Sequence, residues 1–192
     1  GAPDAGLTAS SIVARVTEQM LVSGWVIADN LIDIDVTTST GVGGLVTYGD
    51  ESNSLTADQG ATLQTLASDS VLRIATSGSI YSAAGMYAGV NQGAGASITV
   101  DAGTGLTLLQ GGTFATRYDN GSITLRAGSA SETEGYIHLM GGSAVVSGAT
   151  LDASNDYQLT GSGSTLSLST HGEMMLAGSL TAAGNMSLSA SE

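Results

Sequence analysis

The chain has 192 residues, a formal net charge of -13 and 28 glycines, against one proline and no cysteine. Its four basic residues, Arg15, Arg73, Arg117 and Arg126, are too few to neutralise a row of phosphates, which excludes nucleic-acid binding and attraction to an anionic membrane. Without cysteine there are no disulfides, zinc thiolates or thiol nucleophiles, and no apolar run approaches the roughly 20 residues that cross a bilayer. Hydrophobic residues, at 42%, supply a core that a disordered chain lacks.

The opening Gly1-Ala2-Pro3-Asp4 has no basic region followed by an apolar stretch, so a signal peptide is expected to be absent or already removed. After Ser10 and Ser11, the residues Ile12, Val13, Val16, Met20 and Leu21 recur at intervals that suit a serine-capped amphipathic helix, while Trp25-Val26-Ile27-Ala28 is strand-like. Residues 11–28 therefore read either as strands of an early coil or as a stretch that includes a helix, and residues 1–30 as an atypical first coil or cap. Beyond Leu31 the period is two: Ile32, Ile34 and Val36; Leu72 and Ile74; Ile98 and Val100; Leu106 and Leu108; Ile123 and Leu125; Ile137 and Leu139; Leu166 and Leu168; Met186 and Leu188. Each burst soon meets Gly, Asn, Asp or Ser, which predicts many very short strands joined by tight turns. Gly41-Val42-Gly43-Gly44 and residues 85–95 read as protruding loops or broad turns within one domain spanning 1–192.

A repeat underlies the rhythm. Ala96-Ser97-Ile98-Thr99-Val100-Asp101-Ala102-Gly103 returns as Gly121-Ser122-Ile123-Thr124-Leu125-Arg126-Ala127-Gly128, an offset of 25 residues. Looser echoes are Val71-Leu72-Arg73-Ile74-Ala75, and the pair Leu55-Thr56-Ala57 and Leu180-Thr181-Ala182. A unit of about 20–26 residues holding two or three tiny strands is what one coil of an all-β parallel β-helix, or solenoid, requires. Inward residues would then touch their equivalents about 4.8 Å away, placing Ile98 under Ile123 and Val100 under Leu125. Glycine serves the bends, and proline is scarce because it deletes an amide donor that the next coil needs. The same register sets Asp101 beneath Arg126 as an opposite-charge pair.

The runs Gly148-Ala149-Thr150-Leu151-Asp152-Ala153, Leu166-Ser167-Leu168-Ser169 and Gly178-Ser179-Leu180-Thr181-Ala182-Ala183-Gly184-Asn185-Met186-Ser187-Leu188-Ser189-Ala190 resemble the degenerate repeats of filamentous-haemagglutinin-like exoproteins, which alternate small polar residues with Leu or Ile and insert Ala-Gly-Asn turns. The resemblance extends loosely from Asn30 to Glu192. It implies a right-handed parallel β-helix, secreted to a bacterial cell surface, often by two-partner secretion, and used as an adhesin, haemolysin or toxin-delivery stalk. That family's secretion domain carries Asn-Pro motifs, which have no counterpart here because the one proline is Pro3. The resemblance thus implies a fragment of a longer repetitive protein, or a different export route.

Candidate sites are weighed against ordinary structure. Asp33 and Asp35, near Asp29, alternate with Ile32, Ile34 and Val36 and are expected on one outer strand face, about 7 Å apart, a spacing open to an inverting carboxylate pair. Arg117, Tyr118 and Asp119 precede the strand at Ile123, and His138 points outward between Ile137 and Leu139; a cleft joining them would be catalytic, but an exposed rung and a structured turn are the simpler reading. His171-Gly172-Glu173 is read as a turn, lacking what a two-histidine metal site with His138 needs. No cofactor is expected. For calcium the best oxygen-rich turns are Asp50 with Glu51 in residues 48–53, and Ser154-Asn155-Asp156, where simple Asx turns are the plainer account. Gly41-Val42-Gly43-Gly44 and Gly93-Ala94-Gly95 lack the lysine of a phosphate loop. Among the aromatics Trp25, Phe114, Tyr48, Tyr81, Tyr87, Tyr118, Tyr136 and Tyr157, the pair Tyr81 and Tyr87 flanks Ala84-Gly85-Met86 and makes residues 81–95 the candidate contact loop, with packing against the coil surface as the plainer account.

The expected function is a structural and adhesive segment of a secreted or surface-displayed bacterial protein, which meets a cell-surface or matrix glycan or protein, or associates with itself into fibres. A carbohydrate-active β-helix enzyme, lyase or hydrolase, is the first alternative and a phage fibre or tailspike segment the second.

Overall fold

Bursts of alternating aliphatic and hydroxyl residues form short strands throughout the structure, a computed structural model that describes residues 6–37, 55–57, 61–91, 94–128, 135–146, 149–151, 157–159 and 163–191. In chain order they are β1 (Gly6–Val16), β2 (Met20–Val22), β3 (Trp25–Val36), β4 (Leu55–Ala57), β5 (Thr62–Thr65), β6 (Val71–Thr76), β7 (Ile80–Ser82), β8 (Gly85–Ala88), β9 (Ser97–Ala102) and β10 (Gly105–Leu109). There follow β11 (Thr113–Thr116), β12 (Ser122–Ala127), β13 (Gly135–Met140), β14 (Ser143–Val146), β15 (Ala149–Leu151), β16 (Tyr157–Leu159), β17 (Thr165–Leu176), β18 (Ser179–Ala182) and β19 (Asn185–Ser191). The described residues contain no helix, and every strand except β15 and β16 belongs to one hydrogen-bonded network whose pairings are parallel.

The pairings sort into three ladders. The first runs β1, β3, β6, β9, β12, β17 and β19, with Ser11, Leu31, Val71, Ser97, Ser122, Thr165 and Asn185 in register. The second runs β2, β4, β7, β10, β13 and the C-terminal half of β17. The third joins the N-terminal parts of β1 and β3 to β5, β8, β11, β14 and β18. The chain visits first, second and third ladder in that order, then begins again.

In-register stacking assembles the core. Ile12, Ile32, Leu72, Ile98, Ile123 and Leu166 form one buried column of the first ladder, and Ile34, Ile74, Val100, Leu125 and Leu168 form a second. Leu63, Met86 and Phe114 align on the third ladder, and Ile80, Leu106 and Ile137 on the second. All of these belong to one apolar cluster. Each such side chain contributes about 1.5–3 kcal/mol by leaving water.

The corner that leads into the first ladder also stacks. Asp69, Gly95, Asn120 and Gly163 each stand two residues before the in-register strand starts, and have φ of 52°, 79°, 56° and 69°. Aspartate and asparagine tolerate this left-handed backbone, and glycine adopts it at no steric cost. The alternation has a packing reason: a Cβ on Gly95 would collide with Asp69 Oδ1, and one on Gly163 with Asn120 Oδ1. The backbone is stapled from layer to layer by Asp69 N donating to Ala94 O and Gly95 N to Asp119 O, both at 2.9 Å.

Of the two readings of residues 11–28, strands prevail: the apolar residues that mimic a helical period divide between β1 and β2, where β-branched Ile12 and Val16 point toward the core and Val13 points outward. The repeat is less even than the expected 20–26 residues: from Ser11 to Asn185 the in-register residues are 20, 40, 26, 25, 43 and 20 apart. The interval before Thr165 contains the antiparallel hairpin β15–β16, inserted between β14 and β17; the extra length before Val71 falls in residues 38–54, outside the described residues.

Candidate functional site

With the inward positions filled by aliphatics, Phe114 and small hydroxyl residues such as Thr65, Ser82 and Thr116, the charged side chains among the described residues are confined to outward positions and corners. On the first ladder, Asp33 of β3 lies between Val13 and Arg73 in register, with Arg15 diagonally adjacent. The Asp33 carboxylate accepts from Arg15 Nη2 and, at 2.7 Å, from Arg73 Nη1, while Arg15 Nη1 also donates to the Asp33 carbonyl at 3.1 Å. Burial acts to raise the Asp33 pKa, but hydrogen bonds from Arg15 and Arg73 and their charges outweigh it, so the carboxyl sits below its ordinary range. Arg73 is held above its usual value by the hydrogen bond to Asp33, against burial, with help from the charges of Asp33, Asp35 and Asp101. Asp35 follows two residues on, with Oδ1 buried and without a hydrogen-bond partner. A glycosidase acid needs a raised pKa, the opposite of what two arginines do to Asp33. Asp29 is exposed, and its carbonyl accepts from the amides of Leu66 and Ala67.

Higher on this ladder Ile98 pairs with Ile123, Val100 with Leu125, and Asp101 with Arg126; Arg126 Nη1 donates to Asp101 Oδ1 at 3.3 Å. Three of the four arginines thus meet aspartates across strands of one face. The fourth, Arg117, stacks over the Tyr87 ring at 5.6 Å from its centroid.

Tyr81 and Tyr87 do not share a protruding loop. They lie in β7 and β8, on the second and third ladders respectively, because Ser82 and Ala84 turn the chain between them, with Ala84 N donating to Ser82 Oγ at 3.2 Å. Arg117, Tyr118 and Asp119 occupy the corner after β11, where the Tyr118 hydroxyl donates to Asn91 O at 3.2 Å. His138 is outward on β13 of the second ladder, beside Tyr136 and Glu173, whereas Arg117 and Asp119 lie at the corner between β11 of the third ladder and β12 of the first.

Those neighbours form a compact group of aromatic and titratable side chains on the second ladder. Tyr136 and His138 are two apart on β13, with ring centroids 4.6 Å apart and planes tilted by 33°. The Tyr136 hydroxyl is 3.1 Å from that of Tyr81, two ladder steps away, and His138 Nε2 is 3.6 Å from Glu173 Oε2 on the next strand. His171 instead faces Ser191 Oγ at 3.2 Å from Nδ1, so the two histidines serve different strands. Sequence reading singled out Tyr81 and His138 separately; the Tyr-x-His spacing at Tyr136 and His138 was the available sign that both share an outer face. Among the described residues no three His, Asp or Glu side chains converge so as to hold a metal ion. The calcium candidates Asp50, Glu51, Ser154, Asn155 and Asp156, the loop Gly41-Val42-Gly43-Gly44, Gly93 and Tyr48 all lie outside the described residues.

A comparison with protein-family models, curated proteins and solved structures returns no match. The functional reading therefore rests on the chain's own residues.

Proposed function

We propose that the chain is a right-handed parallel β-helix segment of a secreted or surface-displayed bacterial exoprotein, of the filamentous-haemagglutinin-like kind, and that it works as a rigid adhesive rod. One observation carries this reading: three parallel ladders visited in constant order, so that each passage adds about 4.8 Å along a single axis. Every inward position then maintains the stack, and outward residues are displayed at regular intervals along it. The ion pairs of Asp33 with Arg15 and Arg73 and of Asp101 with Arg126 tie successive layers together, a mechanical use of charge. The partner is a cell-surface or matrix glycan or protein, or further copies of the chain joined into fibres.

The test is attachment. Beads coated with the purified chain are expected to be retained under flow on cells or extracellular matrix above the level of beads coated with an unrelated protein of equal negative charge. Equal retention overturns the adhesive role.

A further inference from the structure

Outward residues on a parallel ladder face their equivalents about 4.8 Å away. The first ladder answers with small hydroxyls, as in Thr99, Thr124, Ser167 and Ser187, and with opposite charges. The second ladder departs from this pattern by displaying Tyr81, Tyr136, His138 and Glu173. None of these is needed for the core, and each sets a bulky or charged group where a hydroxyl would stack.

We propose that this patch is a binding site for a neutral oligosaccharide; the inference rests on the adhesive reading and names its ligand class. The first reason is ring orientation. Tyr136 pairs in register with Gly105, where a Cβ would collide with Cζ, Cε1 and Cε2 of the ring at similar distances, so the ring lies face down on the glycine. The imidazole of His138 lies against the same ring, 4.6 Å between centroids and tilted by 33°, so that the two rings together form an aromatic surface on the outer face of β13. A sugar's C–H face stacks on such a platform, and the amphipathic tyrosine keeps its hydroxyl for a polar partner.

The second reason is the polar rim. The Tyr81 and Tyr136 hydroxyls act as donors or acceptors, and the Glu173 carboxylate, 62% exposed, is an acceptor that needs donors. Sugar hydroxyls supply both roles without charge. An apolar protein surface would instead desolvate Glu173 with nothing to pair it, at a cost. The third reason is electrostatic: a net charge of -13 with Glu173 in the patch repels anionic glycans. From β7 to β17 the groups span three ladder steps, about 14 Å, the reach of an oligosaccharide rather than of a single sugar.

The experiment measures binding of the purified chain to immobilised neutral hexose and N-acetylhexosamine oligomers, with sulfated and uronate-containing oligomers alongside. The expected result is saturable binding to at least one neutral oligomer, weakened at least tenfold in Tyr136→Ala and Glu173→Gln, weakened less in Tyr81→Phe, and unchanged in Arg117→Ala at the corner after β11. Tyr81→Phe and Glu173→Gln preserve shape, so parental thermal unfolding in these variants separates lost binding from lost fold. Absence of binding to every neutral oligomer, preference for the anionic ones, or equal binding by parent and variants each overturns the proposal. Coated beads that still adhere while oligomers are ignored would remove this site and leave the adhesive reading standing.

Discussion

Replacing Gly95 by alanine tests the stacked corner through the sign of its effect. Gly→Ala at an ordinary backbone position stabilises by about 0.4–1 kcal/mol, through the entropy of the unfolded chain. At Gly95 two terms oppose that gain. The φ of 79° places an L residue in the left-handed region, at about 1–2 kcal/mol. The new methyl would also fall on Asp69 Oδ1, with Cγ at 3.2 Å, and pushing that carboxylate off its rotamer costs about 0.5–1.5 kcal/mol. The net expectation is a loss of about 1–3 kcal/mol, or a fall of roughly 0.5–1.5 M in the urea midpoint at a slope near 2 kcal/mol/M. Replacing Asp69 by glycine, itself suited to φ 52°, removes the collision but not the φ cost. The cycle of Gly95→Ala with Asp69→Gly should therefore show a coupling of about 0.5–1.5 kcal/mol. A midpoint in Gly95→Ala that is unchanged or raised refutes the corner geometry, and an additive cycle refutes the contact with Asp69.

Two further outcomes follow from the described geometry. Asp33→Asn leaves Arg15 and Arg73 without their shared anion and should cost about 1–2 kcal/mol at pH 7; because the folded pKa of Asp33 is depressed, its stabilisation is complete well above the unfolded value of about 3.9 and is lost as pH falls through the folded value. The stability gap between parent and variant, read by urea unfolding at pH 7 and pH 3, should shrink at the lower pH, and an equal gap would contradict the assignment. Phe114→Ala, fully buried between Met86 and Ala144 on the third ladder, should cost about 3–5 kcal/mol in the same assay, whereas a loss under about 1 kcal/mol would show that the ring is not enclosed.

Local repetition was legible in the sequence where the repeat is even. The echo between residues 96–103 and 121–128 has the same offset as the pairing of β9 with β12, and the alternation inside it names the inward Ile98, Val100, Ile123 and Leu125. The ion pair between Asp33 and Arg73 was hidden by distance along the chain: its partners are 40 residues apart, so the match of Leu31-Ile32-Asp33-Ile34 to Val71-Leu72-Arg73-Ile74 falls outside a 25-residue search. The N-terminal region was ambiguous for another reason. Inward residues of consecutive short strands, such as Ile12, Val16 and Met20, recur every four positions across a corner and imitate one helical face. The contact of Tyr81 with Tyr136 spans 55 residues and skips β10, because Gly105 leaves the ring room to lean across that strand. No one-dimensional pattern encodes such a pair; it needs both the register and the missing side chain.

Parallel stacking therefore makes departures from uniformity informative. A column of serines and threonines asks little of its neighbours, since each small hydroxyl fits above the next and water reaches all of them. A charge placed in that column meets whatever occupies the next layer, and the first ladder resolves this with Arg15, Asp33 and Arg73 in one group and Asp101 with Arg126 in another. These pairs are explained by stacking and need no ligand. Tyr136 and Glu173 are not explained that way: they occupy adjacent layers in register, an aromatic ring beside a carboxylate, and Glu173 projects toward solvent. The proposed oligosaccharide would supply what the second ladder's own contacts, Tyr136 to Tyr81 and His138 to Glu173, leave open, namely donors for the outward carboxylate.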